Sequence, residues 1–102
     1  MLVADVYKAL GDPTRLEIIR RLSTRSSCTI GELSENLGVS RQGARKQLQV
    51  LVNANLVHLA QRGRTTQVSL ETETLKAARA FISQIESQWD NRLKALKDFT
   101  EA

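Results

Sequence analysis

Arginine, lysine and glutamine recur along "SRQGARKQLQ", residues 40–49, at the spacing of one helix face. With Arg41 at 0°, Arg45, Gln49, Gln42 and Lys46 fall at about 40°, 80°, 100° and 140°, while Ala44, Leu48 and Leu51 fall at about 280–340°. One face is rich in hydrogen-bond donors and the other is apolar. Arginine and lysine bond guanine O6 and N7, and glutamine bonds adenine, in the major groove of duplex DNA. Ser40 and the first amides of such a helix suit a phosphate. A second basic group, Arg62-Gly63-Arg64-Thr65, suits phosphates or the minor groove. The candidate DNA-binding residues are therefore Ser40, Arg41, Gln42, Arg45, Lys46, Gln49, Arg62, Arg64 and Thr65. A solvated charged face is the plain alternative for any helix of this kind.

Other chemistry is thinly represented. A zinc site needs about four nitrogen or sulfur ligands, or three in an open site. Cys28 and His58 supply too few, so no metal and no cofactor is expected. Cys28 lies before a helix start with Arg25 nearby in sequence, a setting that can activate a thiol. The alternative is an inert, partly buried small residue. His58 reads as a surface strand residue or a neighbour of phosphate. No Gly-rich phosphate loop, nucleophile with a base, or paired-carboxylate site stands out, so an enzyme is not expected.

The chain has 102 residues, which points to one small domain. Lys plus Arg number 15 against 11 Asp plus Glu, and the net charge of +4 favours a polyanionic partner without requiring one. A single cysteine suits a reducing compartment. No apolar run approaches the ~20 residues of a membrane span. The start "MLVADVYKAL" carries an early acid and does not read as a signal peptide. A cytoplasmic location is expected.

The elements that must position the basic residues are legible from periodicity and caps. Val3, Val6, Tyr7 and Leu10 mark a short amphipathic helix ended by Gly11. Asp12 caps a second helix with Pro13 at its first position, and Leu16, Ile19 and Leu22 form its buried stripe. Thr29 and Glu32 form a capping box for a third helix from Ile30 to about Leu37, with Ile30, Leu33 and Leu37 inward and Gly38 closing it. Ser40 caps a fourth helix over 40–54, which Asn55 ends. Gly43 lowers its helix propensity by about 1 kcal/mol relative to alanine but removes bulk near the first turn. "LVHLAQ" and "TQVSL" alternate, with Val57, Leu59, Val68 and Leu70 inward, and predict a hairpin over 57–70. Thr72 then caps a final helix of ~28 residues, about 42 Å long.

A capped helix, a short turn with Gly and a second capped helix make a helix-turn-helix. Followed by a hairpin, the order is that of the winged form. The fold class expected is mainly α, a winged helix-turn-helix (α-α-α-α-β-β-α) over 1–71 with a long C-terminal dimerisation helix over 72–102. The segments "ALGDPTRLEIIRRL", "TIGELSENLGVSRQGARKQLQVLVNANLV" and the Gly-containing hairpin resemble the ArsR-type winged helix-turn-helix repressors. Trp89, Asp90, Arg92, Leu93 and Leu96 match a W-D-x-R-L-x-x-L pattern common in the closing helix of a non-metal branch of that family. The resemblance implies a cytoplasmic homodimer that binds operator DNA and usually represses transcription. Metal-sensing relatives carry paired cysteines near the third helix, or His and Asp on the last; this chain has Cys28 alone and no His in the last helix. Two departures stand out. Gln47 replaces a common His, which bears on base preference, and Asn55 replaces a common Gly, which the left-handed backbone tolerates.

Leu75, Ala78, Ile82, Ile85, Trp89, Leu93, Leu96 and Phe99 form a stripe close to heptad spacing along the last helix. A helix this long projects beyond a small winged domain, so part of the stripe is expected to pair with a second copy. The candidate dimer residues are Leu75, Ala78, Ile82, Ile85, Trp89, Leu93 and Leu96, with Val3, Val6 and Tyr7 of the first helix. The partners expected are double-stranded operator DNA and a second copy, with no membrane. Two other readings stay open at this level: a winged-helix protein-interaction module without DNA binding, and a repressor switched at Cys28. The operator, the inducer and the sign of regulation are not encoded in any motif.

Overall fold

Asp12 and Pro13 turn the chain between its first two helices. The computed structural model describes residues 3–101, with α1 at Val3–Leu10 and α2 at Pro13–Leu22. The expected segment bounds 1–71 and 72–102 also reach residues 1, 2 and 102, which lie outside the described residues. Asp12 Oδ2 accepts from the backbone N–H of Thr14 at 2.9 Å and of Arg15 at 3.1 Å, so two orphan donors of α2 are satisfied. The buried face of α2 differs from the expected stripe. Ile18 and Leu22 are buried, Ile19 is half-buried, and Leu16 is 50% exposed. Leu16 and Ile18 lie about 200° apart on the helix, so only one of them can share Leu22's face.

Residues 28 and 29 form a strand that alternation could not reveal, because two residues are too few to alternate. β1 (Cys28–Thr29) pairs antiparallel with β3 (Thr65–Leu70), whose other edge pairs with β2 (Val57–Arg62). The sheet therefore has three strands in the order β1-β3-β2. Arg62 pairs with Thr65, which leaves Gly63 and Arg64 as the turn, and Gly63 takes φ +61°. Val57 and Val68 are buried and Leu70 is half-buried as the alternation requires, but Leu59 is 43% exposed. It lies opposite buried Val68 in register, but β2 is an edge strand flanked only by β3, whereas Val68 sits on the central strand.

α3 spans Ile30–Ser34 and keeps its capping box: Thr29 Oγ1 accepts from Glu32 N at 3.1 Å, and Glu32 Oε1 accepts from Thr29 N at 2.9 Å. It is shorter than the expected 30–37. Glu35 leaves the helix with ψ 126°, and Asn36 and Gly38 adopt φ +56° and +81°. Ile30 and Leu33 are buried and Leu37 is half-buried beside the core. Five residues make too little helix to persist alone. Arg21 supplies what is missing. Its Nη1 donates to Leu33 O at 2.9 Å and Glu35 O at 2.5 Å, and its Nη2 to Asn36 O at 3.2 Å. These are the orphan carbonyls of the α3 end and the turn after it.

α4 (Arg41–Asn53) packs Ala44, Leu48 and Leu51 into the core, and Asn55 follows at φ +60°. α5 runs Thr72–Glu101, 30 residues or about 45 Å. Its start is capped by Glu71 rather than Thr72, since Glu71 Oε1 accepts from Glu73 N at 3.0 Å and Thr72 is the first helical residue. Thr74 is buried and donates to Asn55 O at 2.6 Å, tying α5 to the end of α4. Tyr7 donates to the carbonyl of Ala78, and its ring lies 6.0 Å from that of Phe81. Val6 and Ala78 are buried in the chain's own core, and Tyr7 and Leu75 pack against it. Val6 and Ala78, offered from the sequence as dimer contacts, thus lie inside the protomer. Beyond Ala78 every described residue of α5 is exposed.

Arg20 and Arg21 both pair with Glu17, at 2.6 Å and 3.2 Å. Arg20 is mostly exposed and Arg21 is not. Charged hydrogen bonds held to carbonyls are worth about 1.5–3 kcal/mol, and exposed ion pairs about 0–1. Arg21→Ala should lower the unfolding free energy in urea by about 2 kcal/mol, and Arg20→Ala by less than about 1. The hydrogen bond from Arg20, then that from Arg21, lower the Glu17 carboxyl from 4.5 to about 2. Between those values the unfolded chain binds the extra proton, so Glu17's contribution is present above pH 4.5 and lost as pH falls toward 2. The urea midpoint should decline across that window, and Glu17→Gln should flatten the decline.

Candidate nucleic-acid interface

Ser40 begins the face that the sequence marks as basic. Its Oγ accepts from Gly43 N at 3.0 Å, so the first turn of α4 is fixed by its own cap. A Cβ at Gly43 would come within 3.3 Å of Ser40 Oγ and of Val39 Cβ. Glycine here relieves crowding against the cap and the turn, a local reason for a residue that otherwise weakens a helix. Arg41, Gln42, Arg45, Lys46 and Gln49 are all exposed, opposite buried Ala44, Leu48 and Leu51. Gln49 is already engaged along the helix, its Nε2 donating to Asn53 Oδ1 at 2.9 Å.

The tertiary structure gathers only part of the expected set into one place. A cleft of about 200 Å³ is lined by Thr29, Ile30, Gly31, Arg41, Arg45, Arg64, Thr65 and Thr66. It joins the start of α3, the first turns of α4 and the tip of the hairpin. Arg41 lies over the backbone at Gly31, where a Cβ would meet its Nη2 at 3.0 Å. Arg62, Gln42, Lys46 and Gln49 lie outside this cleft. Thr29, Gly31 and Thr66 line it although the sequence marked none of them. Their residue types carry no charge signal, and only the packing of β1 against β3 brings them there.

Charge pairing separates two groups of cations. Arg20, Arg21 and Arg25 are paired with Glu17 or Glu32, and the carboxyl of Glu32 is lowered chiefly by the backbone N–H of Thr29. Among the described residues, Arg41, Arg45, Lys46, Arg62 and Arg64 pair with no carboxylate. Three arginines without a carboxylate partner thus line one cleft, which suits the fixed, closely spaced oxygens of a polyanion. His58 is exposed and paired with Glu71, whose carboxyl is lowered chiefly by the N–H of Glu73 and then by His58. Its ring thus has a carboxylate neighbour. Among the described residues no group of three or more His, Cys, Asp and Glu is placed to hold a metal ion, and no helix is long and apolar enough to cross a membrane.

Comparison with known proteins gives the same frame. A family model described as a helix-turn-helix domain matches residues 10–60. An uncharacterized HTH-type transcriptional regulator, YuzN of Bacillus subtilis, is 36% identical over 77 residues, covering 70% of this chain and 84% of that protein. The transcriptional repressor SdpR of Bacillus subtilis is 27% identical over 89 residues, covering 87% of this chain and 98% of that protein. A solved structure of an ArsR-like transcriptional regulator from Rhodococcus sp. RHA1 has a TM-score of 0.82 at 32% identity, covering 95% of this chain and 91% of that one.

Cys28 lies elsewhere, beneath a surface depression lined by Arg20, Arg21, Thr24, Arg25, Glu32, Leu33, Glu35 and Asn36. It is 2% exposed and paired in register with Val68 on β3. Cys28 itself lines that depression but is nearly closed to solvent, so reaction at its sulfur requires local opening around it. A thiol-reactive disulfide reagent should label Cys28 on the order of 10³-fold more slowly in buffer than in denaturing urea. Labelling at equal rates would show that this opening is frequent.

Proposed function

This chain belongs to the ArsR family of winged helix-turn-helix transcriptional regulators, DNA-binding proteins rather than enzymes, and we propose that it acts as a homodimeric repressor on a palindromic operator. The observation that carries the DNA-binding surface is the cleft where unpaired Arg41, Arg45 and Arg64 meet. In this reading α4 enters the major groove. Arg41, Gln42, Arg45 and Lys46 face base edges and flanking phosphates. Ser40 and the wing residues Arg62, Arg64 and Thr65 hold the backbone, and Gln49 has a smaller part because Asn53 already occupies its amide. Repression is supported by the 27% identity to a relative named as a repressor.

The homodimer is supported by α5. Ile82, Ile85, Trp89, Leu93 and Leu96 are 46–56% exposed on a helix that extends beyond the protomer. A lone helix with such a stripe gains nothing from water, while a second copy would cover it at heptad spacing. Val3, Tyr7 and Leu75 lie at the margin of this surface, where α1 meets α5. A two-fold dimer would set two copies of α4 in successive major grooves, with half-sites about 10 bp or ~34 Å apart.

The test uses a fluorescent duplex selected by the protein from a randomised pool. The logarithm of affinity should fall linearly with the logarithm of salt, with a slope near −5 to −7 for about six to eight phosphate contacts per dimer. Arg45→Ala should weaken binding by about 10-fold or more while sedimentation still shows a dimer. Ile85→Glu should yield a folded monomer by circular dichroism and sedimentation, with half-site affinity only. Failure to bind any duplex at low salt would instead favour a protein-interaction module.

A further inference from the structure

Arg15 belongs to α2, but its guanidinium serves two other helices. Nε donates to Ala9 O at 2.6 Å and Nη1 donates to Gln47 Oε1 at 2.8 Å, while Nη2 approaches Lys8 O at 3.4 Å. Ala9 O and Lys8 O are among the last carbonyls of α1, which have no partner within that helix. Gln47 lies in α4. One planar group therefore ties α1 and α4 to α2. Helix α1 is in turn held to α5 by the Tyr7 hydrogen bond to Ala78 and by the Tyr7–Phe81 ring contact.

The bond also decides what Gln47 can offer. A guanidinium has donors only, so the oxygen of the Gln47 amide must face Arg15. The Nε2 donors are left pointing away. Gln47 so held has its oxygen turned toward Arg15 and away from the paired donor–acceptor geometry that reads adenine, so what it presents outward is its Nε2 donors.

We propose that Arg15 is a positioning residue for operator recognition. It fixes the orientation of α4 relative to α1 and α5, and thereby the separation of the two recognition helices in the dimer. This inference rests on the dimeric DNA-binding reading above. A lysine would not replace the arginine, because a point charge cannot span acceptors on two sides as the planar fork does. The bond between Arg15 and Gln47 is the link whose loss should free α4 to swing, so that duplexes with altered half-site spacing are bound more evenly.

The experiment takes the duplex selected by the wild-type protein from a randomised pool and inserts or removes one base pair between its half-sites. Affinities are measured by anisotropy for wild type, Arg15→Met, Arg15→Lys, Gln47→Leu, Gln47→Glu and the double variant Arg15→Met/Gln47→Leu. Circular dichroism and sedimentation verify that each is folded and dimeric. Wild type should lose about 10-fold or more in affinity on the altered spacings. Arg15→Met and Gln47→Leu should each reduce that penalty to within about 3-fold, and the double variant should be no worse than either single one. Gln47→Glu keeps an acceptor for Arg15 and should retain the wild-type penalty; Arg15→Lys should not. A merely structural role would lower affinity by one factor on all spacings, and that result would overturn the proposal. Should Arg15→Met fail to fold, Gln47→Leu carries the same test from the other side of the bond. If wild type selects no duplex at all, the DNA-binding reading fails first and the positioning role with it.

Discussion

The Arg21 fork on the end of α3 is the interaction on which the helix-turn-helix depends. α3 has five residues, and its capping box secures only its start. Its end passes straight into residues with extended and left-handed backbone, so the carbonyls of Leu33, Glu35 and Asn36 have no helical continuation to bond. Arg21 meets all three. The turn that follows delivers Ser40 to the start of α4, and every basic side chain on that helix inherits its direction from there. A short helix can serve because a neighbour supplies its second cap.

Arginine thus does two kinds of work in one small chain. Arg15 and Arg21 bond backbone carbonyls and side chains of neighbouring elements, and Arg20 and Arg25 pair with carboxylates. Among the described residues Arg41, Arg45 and Arg64 have no such partners, and all three line one cleft. Composition counts these residues alike. The division follows from where acceptors lie after folding: carbonyls at helix ends and Glu17 and Glu32 capture the first set, while among the described residues no carboxylate forms an ion pair with the second. A net charge of +4 therefore understates the basic character of the surface formed by α4 and the wing.

The long helix α5 combines two environments on one periodic stripe. Thr74 and Ala78 are buried in the protomer, and from Arg79 onward the helix is exposed. The same spacing of apolar residues runs through both halves, so periodicity alone cannot mark where the protomer ends. This is why Ala78, read as an outward contact from its place on the stripe, faces the protomer core, where Val6 of α1 also lies. The boundary lies where α1 stops covering α5, near the Tyr7 bond to Ala78 and the ring of Phe81.

Local signals were legible in the sequence because local geometry carries them. Asp12, the Thr29–Glu32 box and Ser40 are caps whose partners lie two or three residues away, and Gly38, Asn55 and Gly63 occupy the left-handed backbone their types favour. The buried face of α4 followed from its 3.6-residue period. Tertiary structure decided what depends on distant neighbours. The strand at Cys28–Thr29 exists only because β3 pairs with it, Leu16 and Leu59 are exposed because no element covers them, and the Gln47 oxygen is turned inward because Arg15 donates to it. Chain connectivity sets the contacts of residues a few positions apart. Contacts between residues 32 positions apart, as in Arg15 and Gln47, arise only when the helices pack.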